Sequence, residues 1–252
     1  MPLRIVQITD THIYDDPSGE LSGINTRQSL ESVLQYIEKQ LRAIDLLVLS
    51  GDITHESGLP AYRYIHQRLQ RFGLPTFWLP GNHDILALMQ ETIGKGSELA
   101  KSAEAGGWKI IFLDSHVEIQ PEGALAQSEL DFLESQLADN QQPVLIFLHH
   151  HLVPAGCAWL DPQVVANADD FFTLVAQYPQ VKAIVSGHVH QVMDQQKNGI
   201  RLLATPSTCM QFKPNSDDYA EDDIAPGFRY IDLFENGSLH TEVIRVPINP
   251  DL

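Results

Sequence analysis

Five short polar clusters combine carboxylate, imidazole and amide side chains, with no thiol among them: Thr9-Asp10-Thr11-His12, Ser50-Gly51-Asp52, Gly81-Asn82-His83-Asp84, His149-His150-His151 and Gly187-His188-Val189-His190. Such donors suit a pair of borderline divalent ions such as Mn, Fe, Co or Zn. Asp10 and His12 stand two apart, as do His188 and His190, so in extended chain each pair would share a face. Asp52 is the natural bridging carboxylate, and Asn82 offers an amide oxygen without adding charge. In the histidine run, His149 and His151 would also share a face, so spacing leaves the ligand open there. Each cluster alone has an ordinary reading. Asp-x-His is common by chance, Gly-Asp is often a turn or a helix cap, and a histidine run can be incidental. Their joint occurrence, each at the end of an apolar run, points to one site built for metals.

Those apolar runs are strand-like. Arg4–Thr9, Leu46–Ser50, Thr76–Leu79, Lys109–Leu113, Val144–Leu148 and Ala183–Ser186 are mostly short and rich in β-branched residues, as strands covered on both faces are. Helical patterns fall near Arg27–Arg42, Pro60–Arg71, Ser128–Leu137 and Val164–Gln177. The alternation predicts an α/β fold of βα units around a mostly parallel arrangement, where ligands bind beyond the carboxyl ends of strands. Gly51, Gly81 and Gly187 fit sharp turns at those ends. Further on, Asn198-Gly199 separates Val189–Gln195 from Ile200–Ala204, and Asn236-Gly237 separates Phe228–Phe234 from Leu239–Val246. Both read as antiparallel hairpins. One domain is expected over 1–252. Asn215–Asp223 reads as an exposed acidic loop without chemistry.

Composition narrows the function. The 252 residues are 43% hydrophobic and 19% charged, as in a globular chain with a substantial core. A net charge of −17 argues against nucleic acid as partner, since such binding rests on basic surface. A small anion remains compatible, because bound cations would dominate the local field. No run approaches the roughly 20 apolar residues of a membrane span. Met1 leads almost directly into a strand, so a cytoplasmic location is expected. Cys157 and Cys209 lack zinc-ligand spacing and read as free thiols.

The order Asp-x-His, Gly-Asp, Gly-Asn-His-Asp, His-His and Gly-His-x-His resembles the calcineurin-like metallophosphoesterases. Over nearly its whole length the chain also looks like the bacterial class III 3′,5′-cyclic-AMP phosphodiesterases, notably at Gln7–His12, Trp78–Asp84, Pro154–Asp161 and Leu202–Pro214. One departure is Leu152, where the family's histidine run is commonly followed by proline. The resemblance implies a four-layer αββα sandwich with C-terminal antiparallel strands and a dimetal site between loops at one end. It assigns Asp10, His12, Asp52 and His190 to one metal, and Asp52, Asn82, His149 and His188 to the other. His151 is the runner-up to His149.

The implied reaction is hydrolysis of 3′,5′-cyclic AMP to 5′-AMP, by in-line attack of a hydroxide supplied by two divalent metals. Fe or Mn are the expected ions, with Zn or Co as alternatives, and a small cyclic nucleotide is the expected partner. Substrate contacts are expected from His12, Asn82, His83 and His190. Asp52 and His83 are the expected catalytic groups, His83 protonating the leaving alkoxide because it follows Asn82 and an imidazole titrates at about 6.5. Asp84 either orients a histidine or caps a helix starting near Ile85. Trp159, Phe212 and His116 could line a base pocket, with ordinary packing as the competing reading. Another phosphodiester substrate, such as a glycerophosphodiester, is the nearest alternative. A non-catalytic scaffold is the more distant one.

Overall fold

The computed structural model describes residues 1–249. In chain order its first elements are Leu3–Ile8 (β1), Glu20–Leu21 (β2), Ile24–Asn25 (β3), Thr26–Gln40 (α1), Leu46–Ser50 (β4), Leu59–Gln70 (α2) and Thr76–Leu79 (β5). Then come Leu86–Ile93 (α3), Ser102–Ala105 (β6), Trp108–Phe112 (β7), Gln127–Ala138 (α4) and Val144–Phe147 (β8). A 3-10 turn at Asp161–Gln163 precedes Ala168–Val175 (α5), Val181–Ser186 (β9), Met193–Lys197 (β10) and Ile200–Ala204 (β11). The last four are Gln211–Phe212 (β12), Glu221–Asp222 (β13), Gly227–Leu233 (β14) and Leu239–Arg245 (β15).

Side-chain alternation explains the layers. In β1, Val6 and Ile8 point toward α1 and α2, while Ile5 points the other way, into a second apolar layer. In β4, Leu47 and Leu49 join the helical side and Leu46 and Val48 the other. A strand that is apolar at every position can only be satisfied between two apolar layers. The second layer is shared with Ile110, Phe112, Leu145, Phe147 and Val185, on strands of another sheet. The far face of that sheet packs on α4 and α5 through Leu130, Leu133, Phe171 and Val175. The result is helix, sheet, sheet, helix, as the resemblance implied.

One sheet has the order β15-β14-β1-β4-β5 and the other β10-β11-β9-β8-β7-β6. Pairs β1-β4, β4-β5, β7-β8, β8-β9 and β9-β11 are parallel. Antiparallel β14-β15, β10-β11 and β6-β7 finish three of the edges. Both Asn-Gly turns are hairpins, although the first pairs Met193–Lys197 rather than Val189–Gln195 with its partner. The residues before Met193 belong instead to the loop that carries His188 and His190. Five strands, β2, β3, β6, β12 and β13, fall outside the runs expected from sequence, whereas α3 starts beside the expected Ile85. Among the described residues no helix is long and apolar enough to cross a membrane.

Candidate dimetal active site

Register delivers the polar clusters to one place. Ile8 aligns with Leu49 across the β1-β4 ladder, so the loops bearing Asp10 and Asp52 emerge side by side. Two backbone bonds continue the alignment, Asp10 N to Gly51 O at 3.0 Å and His12 N to Asp52 O at 2.9 Å. In the second sheet Phe147 aligns with Val185, and Gly187 N donates to His149 O at 3.0 Å. The sheets meet through Gln7, whose amide donates to Ser50 Oγ at 2.7 Å and to Ser186 O at 3.2 Å. Thr205 Oγ1 donates back to Gln7 Oε1, and buried Arg229 donates to Thr205 Oγ1 at 3.0 Å. This polar tie lies immediately beneath the site.

The local backbone differs from the extended chain expected for Asp10-x-His12 and His188-x-His190. Strands β1 and β9 end at Ile8 and Ser186, before these residues. Asp10, His12, Asp52, His188 and His190 all take left-handed φ, between 45° and 65°. They make up five of the eleven described non-glycine residues with positive φ. Conformations of this kind cost about 1–3 kcal/mol each and persist only where the surroundings enforce them. Convergence therefore comes from turns in left-handed backbone and not from strand alternation. Gly81 belongs to the same enforcement, since a Cβ there would overlap the Asp52 carboxylate and backbone nitrogen.

Ring orientation follows from what each Nδ1 can reach. His149 Nδ1 donates to Ser50 O at 2.8 Å, and His190 Nδ1 donates to Met210 O at 2.9 Å. A carbonyl only accepts, so both rings hold their proton on Nδ1 and turn Nε2 inward. His149 Nε2 lies 3.4 Å from Asp52 Oδ1 and 4.0 Å from Asp10 Oδ1. His190 Nε2 lies 3.3 Å from Asp10 Oδ1 and 3.2 Å from His12 Nε2. His12 Nε2 is 3.8 Å from Asp52 Oδ2. Asn82 Oδ1, His149 Nε2 and His188 Nε2 are buried without a hydrogen-bond partner among the described residues. Two groups whose donor atoms lie within 4.8 Å of one another are Asp10-His12-His190 and Asp10-Asp52-His149. Imidazoles that give one N–H to a carbonyl and aim the other nitrogen at carboxylates are oriented as metal ligands are.

Electrostatics agree with that fit. Burial works against the Asp10 carboxylate, yet His190 and His149 hold it below the usual range. Asp52, opposed by burial in the same way, is held well below by His149, His12 and His83. Burial pushes His12 down to about 3, and burial with neighbouring His150 and His149 holds His188 well below its ordinary value. Ionised carboxylates beside neutral imidazoles are the protonation state that ligation requires. His149 is the exception: against burial, Asp52 and Asp10 push it up to about 9. Both carboxylates thus call for positive charge at the point where the donors converge.

All seven candidate ligands gather here, and the histidine run divides in its surroundings. His149 reaches the carboxylates, whereas His151 joins none of the candidate metal groups found among the described residues. His150 does come within the group His149-His150-His188, with its Nδ1 2.8 Å from Ser115 Oγ. Asp84 neither caps α3, whose N-cap is Ile85, nor hydrogen-bonds a histidine ring. It is buried, and it accepts from Gly81 N at 2.8 Å, Ile53 N at 3.1 Å, Thr54 N at 3.3 Å and Tyr62 Oη at 2.8 Å, binding the Asn82 loop to the Asp52 loop. Burial, with Asp52 nearby, pushes its pKa up to about 6. His55 was missed from sequence, where its only signal is a place three residues after Asp52. Its Nδ1 is 3.4 Å from His12 Nδ1, and its ring stacks on that of His83 at 5.0 Å. His83 Nδ1 donates to His55 O at 3.2 Å, which leaves His83 Nε2 as the free nitrogen.

Two clefts open from these residues. One, of about 520 Å³, runs from His12, Asp52, Asn82 and His190 to Trp159 and Phe212. The other, of about 1350 Å³, runs from Asn82 and His83 past His116 to Ile119. The three candidate base-pocket residues are therefore divided between them, His116 lying apart from the two aromatic rings.

Comparison with known proteins agrees with this geometry. The chain is 42% identical to the 3′,5′-cyclic adenosine monophosphate phosphodiesterase CpdA of Escherichia coli, over 97% of this chain and 90% of that protein. It is 38% identical to the Haemophilus influenzae protein of the same name, with the same coverage of each. A 3′,5′-cyclic-nucleotide phosphodiesterase of a Nostoc species is 35% identical, over 98% of this chain and 94% of that one. A dimetal phosphatase from Danio rerio shares the fold, with a TM-score of 0.70 over 99% of this chain and all of that one, at 15% identity. Residues 3–192 match the calcineurin-like phosphoesterase family. The chain belongs to the calcineurin-like metallophosphoesterases.

Proposed function

We propose that the chain is a dimetal phosphodiesterase that hydrolyses 3′,5′-cyclic AMP to 5′-AMP. The observation that carries the chemistry is the convergence, at one end of the two sheets, of buried carboxylate, imidazole and amide donors whose inward atoms lack protein hydrogen bonds. The substrate rests on relatives 38–42% identical over 97% of the chain that are named for this activity. In this reading Asp10, His12, Asp52 and His190 hold one divalent ion, and Asp52, Asn82, His149 and His188 hold the other. Nitrogen and oxygen donors without thiolate favour Fe or Mn, with Zn or Co also accommodated. When bound, the pair would supply activated water and neutralise charge on the phosphoryl oxygens.

The chain's own residues do the rest. Asp52, fixed by His83 N at 2.9 Å, sets the spacing between the two halves of the ligand set. His12, Asn82, His83 and His190 line the clefts that meet at this point and make contact with the phosphodiester. The His55 carbonyl holds His83 Nδ1–H, so in the imidazolium it is Nε2–H that protonates the departing ribose 3′-oxygen.

The test is product analysis after reconstitution with Mn²⁺ or Fe²⁺, alongside bis(p-nitrophenyl) phosphate. Release of 5′-AMP with two metals per chain is expected. Turnover of the synthetic diester without 5′-AMP in any metal form would remove the substrate and leave the phosphodiesterase chemistry standing.

A further inference from the structure

The smaller cleft ends in a group of aromatic rings that the metal chemistry does not use. Trp159 and Phe212 meet edge to face at 4.8 Å, and Tyr219 contacts Trp159 at 5.2 Å and Phe212 at 5.7 Å. Phe212 stacks on His190 at 4.4 Å and 17°, so the group is continuous with a candidate ligand. Leu21 and Gln163 line the same cleft. Three separate segments supply these residues: the β2-β3 hairpin, the turn at Asp161–Gln163 with the residues before it, and the β12-β13 hairpin. Two polar groups there have no partner among the described residues. The buried indole N–H of Trp159 lacks an acceptor, and the Gln163 amide makes no side-chain hydrogen bond.

We propose that this aromatic group is the nucleobase clasp and that Gln163 selects adenine, an inference that rests on the cyclic-nucleotide reading above. Base–aromatic stacking contributes substantially and tolerates any base, so the rings give affinity and the amide must give choice. A glutamine amide pairs donor and acceptor with the adenine edge, whereas the guanine O6/N7 edge calls for two donors, usually from Arg or Lys. No Arg or Lys lines this cleft. The segment Lys213–Asp223 also carries five carboxylates against the single Lys213, a setting that favours a neutral base over a phosphate. The larger cleft is lined by no Trp, Phe or Tyr. Besides the imidazoles of His55, His83 and His116 it is lined by Ile85, Leu86 and Ile119 with Glu56 and Glu118, so Trp, Phe and Tyr rings stand in the smaller cleft alone.

Calorimetric titration of the Mn²⁺-reconstituted protein with 5′-AMP, 5′-GMP and ribose 5-phosphate tests the clasp without relying on turnover. The intact chain is expected to bind 5′-AMP more tightly than either of the others. Trp159→Leu, and independently the more exposed Tyr219→Ser, should weaken 5′-AMP by about tenfold while leaving ribose 5-phosphate as it was. Gln163→Glu, whose carboxylate can only accept and so matches the N1–H and N2–H2 donors of guanine but not the acceptor nitrogens of adenine, should move the AMP-to-GMP ratio toward GMP by about tenfold. Equal affinity for 5′-AMP and ribose 5-phosphate, or an unchanged AMP-to-GMP ratio in Gln163→Glu, would overturn the proposal. Tight, ring-dependent 5′-AMP binding without cyclic-AMP turnover would keep the clasp and remove the activity. Turnover with ring-independent binding would do the reverse.

Discussion

The two sides of the smaller cleft are built on opposite principles. On one side stand Asp52, His188 and His190, with Asp10 and His149 behind them; all five are buried, each within four residues of a strand end, and most are in left-handed backbone fixed by hydrogen bonds to the neighbouring loop. On the other, Tyr219 is 56% exposed and lies in the loop that joins the two-residue strands β12 and β13. The first side invests conformational strain in fixed geometry, as metal ligation demands. The second presents broad surfaces that need only approximate placement, as stacking demands. If the contrast is real, changes on the buried side should cost metal and rate together, and changes on the rim should cost affinity alone.

The largest effect is expected at Asp52, proposed to be shared by both ions, and at Asn82. Asp52→Ala and Asn82→Ala should each lose metal and activity together, by more than the roughly 10–100-fold that groups behind a ligand usually cost. Metal analysis of the purified variants beside turnover measures it. Full metal content with lost activity would remove these residues from the ligand set.

His83→Ala separates holding from turning over. Its ring is only half-buried, so both metals should remain, while the rate falls by about 10²–10⁴-fold, the worth of general acid catalysis. A substrate with a p-nitrophenoxide leaving group needs little protonation and should lose least. Equal losses on cyclic AMP and on the aryl diester would exclude His83 as the acid.

A smaller effect is expected beneath the site. Gln7→Leu removes the amide that joins Ser50, Ser186 and Thr205 across the two sheets, leaving buried polar partners unpaired. The cost in folding stability should be about 1–3 kcal/mol. Metal affinity should fall by about 10–100-fold, because the loops on the two sheets lose their common reference. Denaturant unfolding of the metal-free chain, with a metal titration, reads both. Loss of stability with unchanged metal affinity would make the tie structural only.

Much of the buried side was legible in the sequence, because donor type, order and strand-end position are all written in one dimension. Asp10, His12, Asp52, Asn82, His149, His188 and His190 could be named before any fold was known. What spacing misjudged was the backbone: positive φ at Asp10 and His12 depends on bonds to Gly51 and Asp52, some forty residues away. Asp84 was misread for a similar reason, since its partners Ile53, Thr54 and Tyr62 are contributed by other loops and a helix. His55 carried no motif of its own. The rim was scarcely legible. Asn215–Asp223 reads as solvated acid, and only the fold places Tyr219 beside Trp159.

The smallest effect tests the contrast most directly. Glu221 Oε1 accepts from Ser22 Oγ at 2.6 Å and from Tyr219 Oη at 2.7 Å, joining the two rim hairpins through one carboxylate. These bonds are solvent-exposed, so each contributes little to stability. Glu221→Ala should leave melting and metal content unaltered and let Tyr219 drift, raising KM for cyclic AMP by a factor of about 2–5, in keeping with the net worth of one ordinary hydrogen bond. The value of kcat should not change, because no donor to the metals moves. Steady-state kinetics with metal analysis decides the matter. A fall in kcat accompanied by metal loss would mean that the hairpin braces His190 through Phe212, and the two sides of the cleft would then be one mechanical unit.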